Sequence, residues 1–200
     1  MNFRLAVVAL ASVLAGGLLA LAVLPGPREQ VANVLPSTGK ALVGGPFSLV
    51  DHTGKAVTDQ DFRGRYMLVY FGFTHCPDVC PSGLQVIAAA LDKAGAKAEQ
   101  ITPLLITVDP ERDTPEQLAS YVPSFHPRLV GLTGTPEQVA PVLKAYRVYA
   151  KRVDDPKSSA GYTFDHTSLI YLMDRNGEYI AHFTHATPVD RIAERLAKLQ

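Results

Sequence analysis

The 200-residue sequence has no tryptophan, only two cysteines and no net charge, with 19 Lys and Arg against 19 Asp and Glu. Two cysteines are too few for a disulfide-built scaffold, and too few for an all-thiolate zinc site, which needs three or four. Balanced charge excludes a strongly basic nucleic-acid binder, so no nucleic acid is expected as a partner, and it excludes an acidic disordered tail. No internal repeat and no low-complexity tract occurs. What remains is room for one domain of ordinary size, a short appendage and a pair of thiols to explain.

Apolar residues make up 47% of the chain but are unevenly spread. Leu5 to Leu24 reads LAVVALASVLAGGLLALAVL, without a charge. As a helix this stretch would measure about 30 Å, the thickness of a bilayer's hydrocarbon core. Ala20-Leu21-Ala22 has the look of a signal cleavage site. Signal cores are shorter, however, at about 7–15 apolar residues. The expectation is therefore an uncleaved anchor over residues 1–24, crossing a bacterial inner membrane once through residues 5–24. Arg4, with no acidic residue near it, puts the N-terminus in the cytoplasm and the C-terminal domain in the periplasm. Residues 25–44 hold three prolines and three glycines without periodicity and read as a flexible linker. Twenty such residues span about 25 Å root-mean-square. The domain proper is expected over residues 45–200.

That domain alternates strand and helix patterns. Phe47–Val50 and Lys55–Val57 flank a Gly-containing turn, and Arg65–Phe73 (RYMLVYFGF) reads as a buried central strand. Pro81 followed by Val86, Leu91 and an alanine run predicts a helix with Pro in its first turn. Ile101–Val108 and Arg128–Leu132 are further strands. Thr114-Pro115-Glu116-Gln117 and Thr135-Pro136-Glu137-Gln138 are near-identical helix starts. Ser168–Met173 and Glu178–Phe183 flank an Asn-Gly turn as an antiparallel hairpin. Pro188–Leu199 closes the chain as an amphipathic helix with Ile192, Leu196 and Leu199 on one face. This order predicts an α/β, thioredoxin-like fold: a mixed central sheet flanked by helices, preceded by a single transmembrane helix.

Both cysteines fall in Phe71-Gly72-Phe73-Thr74-His75-Cys76-Pro77-Asp78-Val79-Cys80-Pro81, between the central strand and the N-terminus of a helix. The amides and dipole of a helix start favour a thiolate, so Cys76 and Cys80 are candidates for redox exchange or for gripping a soft metal ion. A trigonal soft-metal site needs one more donor, and imidazole suits it. Of the six histidines, His75 adjoins Cys76 on a tight turn that points it elsewhere. His52 lies in a turn and His126 in a loop before Pro127. His182 and His185 straddle a strand end and read as solvent-facing. His166 lies in a loop just before the strand Leu169–Met173, which approaches the motif in thioredoxin-like folds. Residue reading alone leaves His166 open between ligand and loop histidine. Asp109, Glu111, Arg112 and Asp113 form a charged loop after a strand end, either solvated or a partner-docking surface. Tyr66, Tyr70, Phe71 and Phe73 read as core packing.

Three stretches together, FGFTHCPDVCP, Thr107-Val108-Asp109-Pro110-Glu111-Arg112-Asp113-Thr114-Pro115 and Asp165-His166-Thr167-Ser168, resemble the Sco (SenC) family in order and spacing from about Gly45 onward. The resemblance implies a thioredoxin-like domain, held by one N-terminal helix, that binds copper as Cu(I) and Cu(II). By motif matching its ligands would be Cys76, Cys80 and His166, with Asp165 a candidate for orienting the imidazole. It also implies the role of a metallochaperone in assembling the CuA centre of cytochrome c oxidase. The partners would be the oxidase's copper-bearing subunit and other periplasmic copper carriers. A thiol–disulfide oxidoreductase using Cys76 and Cys80 on the oxidase's cysteines, or a redox-signalling relative, is the alternative.

Overall fold

The computed structural model describes residues 42–156, 158 and 161–199. The expected anchor, and the linker up to residue 41, lie outside the described residues. Among the described residues, no helix is long and apolar enough to cross a membrane.

A seven-stranded mixed sheet forms the centre. Its strands are β1 (Ser48–Asp51), β2 (Ala56–Thr58), β3 (Tyr66–Gly72), β4 (Ile101–Thr107), β5 (Val130–Thr133), β8 (Leu169–Met173) and β9 (Tyr179–Thr184). Their spatial order is β2-β1-β5-β4-β3-β8-β9. The β3–β4 and β4–β5 pairs are parallel, while β8 runs antiparallel beside β3. Every residue of β3 is buried, as its unbroken apolar run requires of a strand covered on both faces. Each fully buried Leu, Val or Phe there contributes about 1.5–3 kcal/mol.

Among the described residues, four α-helices accompany the sheet: α1 (Val79–Ala94), α2 (Pro115–Tyr121), α3 (Pro136–Ala145) and α4 (Val189–Ala197). Helices α1 and α4 pack on one another, α2 lies against β5, and α3 against β1. Helix α4 buries Ile192, Ala193 and Leu196, the face expected from its periodicity. Both Thr-Pro-Glu-Gln starts cap their helices through the threonine hydroxyl. They differ in the glutamine. Gln138 Oε1 accepts from Thr135 N at 2.8 Å, closing a capping box. Gln117 instead sends Nε2 to Thr74 Oγ1, 3.4 Å away in the loop that carries the cysteines.

One element departs from expectation. The stretch around His166, read as a loop, is instead a strand: β6 (Ala150–Asp154) and β7 (Tyr162–His166) pair antiparallel in a two-stranded sheet of their own. The Tyr-Thr-Phe-Asp-His alternation explains it. In a strand, Tyr162, Phe164 and His166 share one face while Thr163 and Asp165 share the other.

Candidate metal centre

The cysteines sit where β3 hands over to α1. Tight backbone approach at this junction is set by glycine. A Cβ on Gly72 would lie 2.9 Å from Cys80 Sγ and 3.1 Å from the Tyr70 ring, and one on Gly83 would lie 2.9 Å from that same ring. The Tyr70 hydroxyl reaches the Val79 carbonyl at 3.3 Å. Tyr70 therefore packs in the core as expected, but its polar end reaches the cysteine turn.

Helix α1 begins without a capping carboxylate, because the Asp78 side chain makes no cap bond. Cys76 takes that role: the Cys80 amide donates to Cys76 Sγ at 3.4 Å. The thiol of Cys80, and with it the amides of Asp78 and Cys80, donate toward Cys76, against the opposing effect of burial. They hold its pKa down at about 4. Cys80 moves the opposite way. Its hydrogen bond to Cys76, its burial and the negative charge of Cys76 push its pKa far up. The pair thus shares one proton, with a half-buried thiolate at Cys76 and a fully buried thiol at Cys80.

His166 completes the group. Its Nε2 lies 3.3 Å from Cys80 Sγ, and its donor atom and the two sulfurs all lie within 4.8 Å of one another. It is the last residue of β7, not a loop residue. The Phe73 ring meets the imidazole edge-on at 5.7 Å. Asp165 does not take the orienting role expected of it. It is exposed on the outer face of β7, and Nδ1 of His166 instead lies 3.0 Å from the carbonyl of Thr167. A histidine that gives one nitrogen to a backbone carbonyl presents the other to a ligand site in a fixed tautomer.

The other histidines are elsewhere. His75 is exposed and contacts Thr74 Oγ1 through Nδ1 at 3.0 Å. His52 and His126 accept backbone amides, at 3.2 and 3.1 Å. His182 and His185 are exposed, as expected of a strand end.

The charged loop of residues 109–113 is neither solvated nor a docking surface at its two key positions. Asp109 is 1% exposed and Asp113 fully buried. Asp113 accepts from Thr74 N at 3.1 Å, from Thr74 Oγ1 at 2.6 Å and from Thr107 Oγ1 at 2.6 Å. It thereby ties the cysteine loop to the end of β4. Burial raises its pKa, and these hydrogen bonds oppose that rise. Nothing in the local sequence distinguishes these aspartates from solvated ones; the threonines flanking them are the only signal.

The donor set fits a soft metal ion. Metal–sulfur and metal–nitrogen lengths of about 2.3 and 2.0 Å in a trigonal site require donor separations of about 3.7–4.0 Å. The observed 3.3 Å between Cys80 Sγ and His166 Nε2, and the 4.8 Å outer limit, bracket that range. Structural zinc takes four protein ligands, whereas two thiolates and one imidazole suit copper in either oxidation state. Among the described residues, no other cluster of His, Cys, Asp or Glu has ligand atoms this close.

Comparison with known proteins finds relatives whose structures hold copper. The SCO1/SenC family model matches residues 36–200. The chain is 47% identical over 162 residues to the human protein "SCO1 homolog, mitochondrial", covering 80% of this chain and 53% of the human one. It thus spans about half the length of that relative. The copper-bound structure of Bradyrhizobium japonicum ScoI superimposes with a TM-score of 0.71 at 47% identity, over 77% of this chain and 97% of that one. Copper-bound Arabidopsis thaliana ScoI gives 0.74 at 41% identity, over 78% and 96%. With its thioredoxin-like α/β fold and its Cys-Cys-His cluster, this chain belongs to the SCO1/SenC family.

Proposed function

We propose that this chain binds copper through Cys76, Cys80 and His166 and delivers it during assembly of the CuA centre of cytochrome c oxidase. The observation that carries the reading is the 3.3 Å approach of His166 Nε2 to Cys80 Sγ across 86 residues of sequence. A dithiol exchange site has no need of that imidazole. Two thiolates hold Cu(I), and the added imidazole makes Cu(II) tolerable. Cys76, already ionised and half-buried, is the first sulfur an incoming ion meets. Cys80 gives up its proton as it ligates. The recipient is the oxidase's copper-bearing subunit, and other periplasmic copper carriers supply the metal. Residues 5–24 anchor the chain in a bacterial inner membrane, and the linker lets the domain hang in the periplasm. The linker's last residues already dock on the domain, where Gly44 N donates to the Ala145 carbonyl at 3.0 Å.

The low pKa of Cys76 supports a second reading, thiol–disulfide exchange. Here the Cys76 thiolate attacks a partner disulfide, forming a mixed disulfide and releasing one partner thiolate. Cys80 then attacks Cys76, forming the Cys76–Cys80 disulfide, releasing the second partner thiolate and passing it the Cys80 proton. The partner gains two electrons and this chain loses them.

One experiment separates the two. The copper-loaded full chain is mixed anaerobically with the oxidase's copper-bearing domain, once with its cysteines reduced and once as the disulfide. Copper transfer to the reduced domain, absent with His166→Ala, is the expected result. Reduction of the disulfide by metal-free chain, unchanged in His166→Ala, with no copper transfer, would overturn the delivery reading in favour of exchange.

A further inference from the structure

The hairpin that brings His166 to the cysteines belongs to no larger sheet. Beside His166 its base is fastened by backbone: Thr167 N donates to the Tyr149 carbonyl at 2.9 Å, and Tyr149 N to Thr167 Oγ1 at 3.0 Å. The outer end of β7, at Tyr162, needs its own attachment. It finds one in the loop after β4.

Arg112 provides it. Its guanidinium carbon lies 3.9 Å from the centre of the Tyr162 ring and 5.7 Å from that of Phe73. Its Nη1 donates to the Tyr162 carbonyl at 3.3 Å, and its Nε donates to Asp109 Oδ2. Asp109 Oδ1 in turn accepts from the Tyr162 hydroxyl at 3.2 Å. A buried carboxylate, a planar cation and a phenol ring thus close a triangle across 53 residues of sequence. Arg152 of β6 adds a second guanidinium 3.6 Å from the same ring and reaches out to Glu111 at 3.2 Å.

The triangle connects to the metal centre on both sides. Along β7, Tyr162 and Phe164 share the face of His166, and Phe164 meets Phe73 edge-on at 5.8 Å. Phe73 in turn meets His166 at 5.7 Å. Within the loop, Asp109 N is held by Thr107 Oγ1 at 2.9 Å, and that same hydroxyl donates to Asp113, which holds Thr74 beside the cysteines. One short loop therefore grips the cysteine turn through Asp113 and the histidine strand through Arg112.

We propose that Arg112, seated on Asp109, is a positioning residue that sets the distance between His166 and the cysteine pair. This rests on the ligand assignment above, and the work of Arg112 is confined to the third ligand. Arginine is required because one planar group must stack on Tyr162, fork to its carbonyl and pair with Asp109 together, which a lysine ammonium cannot do.

The test uses the full chain in detergent, with wild type, Arg112→Gln, Arg112→Lys, His166→Ala and the Arg112→Gln/His166→Ala double variant. Arg112→Gln should weaken Cu(II) binding about tenfold, the lower end for loss of a partner that orients a ligand. Its Cu(II) absorption and electron paramagnetic resonance should move toward those of His166→Ala, while Cu(I) affinity stays within about threefold. In the double variant the Arg112 change should add less than about twofold, because its effect runs through His166. Arg112→Lys, keeping the charge opposite Asp109, should fall between wild type and Arg112→Gln. The metal-free chain gives an independent reading. The His166 ring signals in nuclear magnetic resonance, shifted by the Phe73 ring, should move in both Arg112 variants.

Wild-type Cu(II) affinity and spectra in a folded Arg112→Gln or Arg112→Lys would overturn the proposal. So would a full tenfold loss on top of His166→Ala, which would place the effect on the cysteines. Should wild type bind no copper, the ligand reading fails. The proposal then stands or falls on the metal-free His166 signals alone.

Discussion

The two sides of the candidate metal centre are built differently. Cys76 and Cys80 stand on the junction of the all-buried strand β3 and helix α1, where Gly72 and Gly83 let the backbone and Tyr70 close to contact distance. His166 stands at the end of a two-stranded hairpin outside the main sheet and is held by Thr167, Phe73 and the Asp109–Arg112–Tyr162 triangle. The sulfur side is fixed by the hydrophobic core, whose disruption costs the whole domain. The imidazole side is fixed by a few polar and aromatic contacts outside the main sheet. A centre of this construction takes its thiols from the core of the sheet and its third ligand from a separate hairpin.

Breaking the sulfur side should have the largest effect. Cys76→Ser or Cys80→Ser is expected to abolish tight Cu(I) binding, read by competition with a Cu(I) chelator under anaerobic conditions. Removing the imidazole comes next. His166→Ala should lower Cu(II) affinity by more than the roughly tenfold to hundredfold cost of losing a partner that only orients a ligand, and leave disulfide exchange by Cys76 and Cys80 largely intact.

Asp113→Ala strikes the loop that joins the two sides. It leaves Thr74 N and the hydroxyls of Thr74 and Thr107 without their acceptor. Thermal unfolding should show a loss of about 2 kcal/mol, as for buried donors left unpaired. Copper affinity in both oxidation states should fall with it, in contrast to the Cu(II)-selective loss from His166→Ala.

A pH series sharpens the contrast between the two sulfurs. With its pKa held at about 4, Cys76 is already ionised above pH 5. Its alkylation rate by iodoacetamide should be flat from pH 5.5 to 8, where an ordinary thiol with a pKa of about 8.5 gains about tenfold per unit. Cys80, pushed far up, should stay unmodified over the same range. A tenfold rise per unit at Cys76 would remove the preset thiolate. The smallest effect is expected at Asp165: Asp165→Asn should leave both copper affinities unchanged, because its carboxylate faces away from the imidazole's side of β7.

Much of this was legible in the sequence, and the exceptions share a cause. Strands such as Tyr66–Gly72 and Ile101–Thr107 announce themselves by continuous apolar runs, and helix starts by Thr-Pro-Glu-Gln. Cys76 and Cys80 were legible because a strand–helix junction with two thiols has few other uses. The β6–β7 hairpin was not, because β6 reads Ala-Lys-Arg-Val-Asp and is mostly exposed, without the apolar face that marks a strand. Its partner Tyr-Thr-Phe-Asp-His does alternate, and that alternation already places Asp165 opposite His166. The burial of Asp109 and Asp113 had only the flanking threonines as a sign in the sequence. A charged loop becomes structural only when threonines, a tyrosine and an arginine from distant segments meet it in three dimensions.

The most direct test of the Cys76–Cys80–His166 centre is an anaerobic titration of the reduced full chain with Cu(I) and Cu(II), run on wild type and the three single-ligand variants. A three-ligand centre predicts one copper bound in either oxidation state by wild type. It predicts loss of Cu(I) with either cysteine variant and loss of Cu(II) before Cu(I) with His166→Ala. If the His166→Ala chain held both oxidation states as tightly as wild type, His166 would not be a ligand and the centre described here would be wrong.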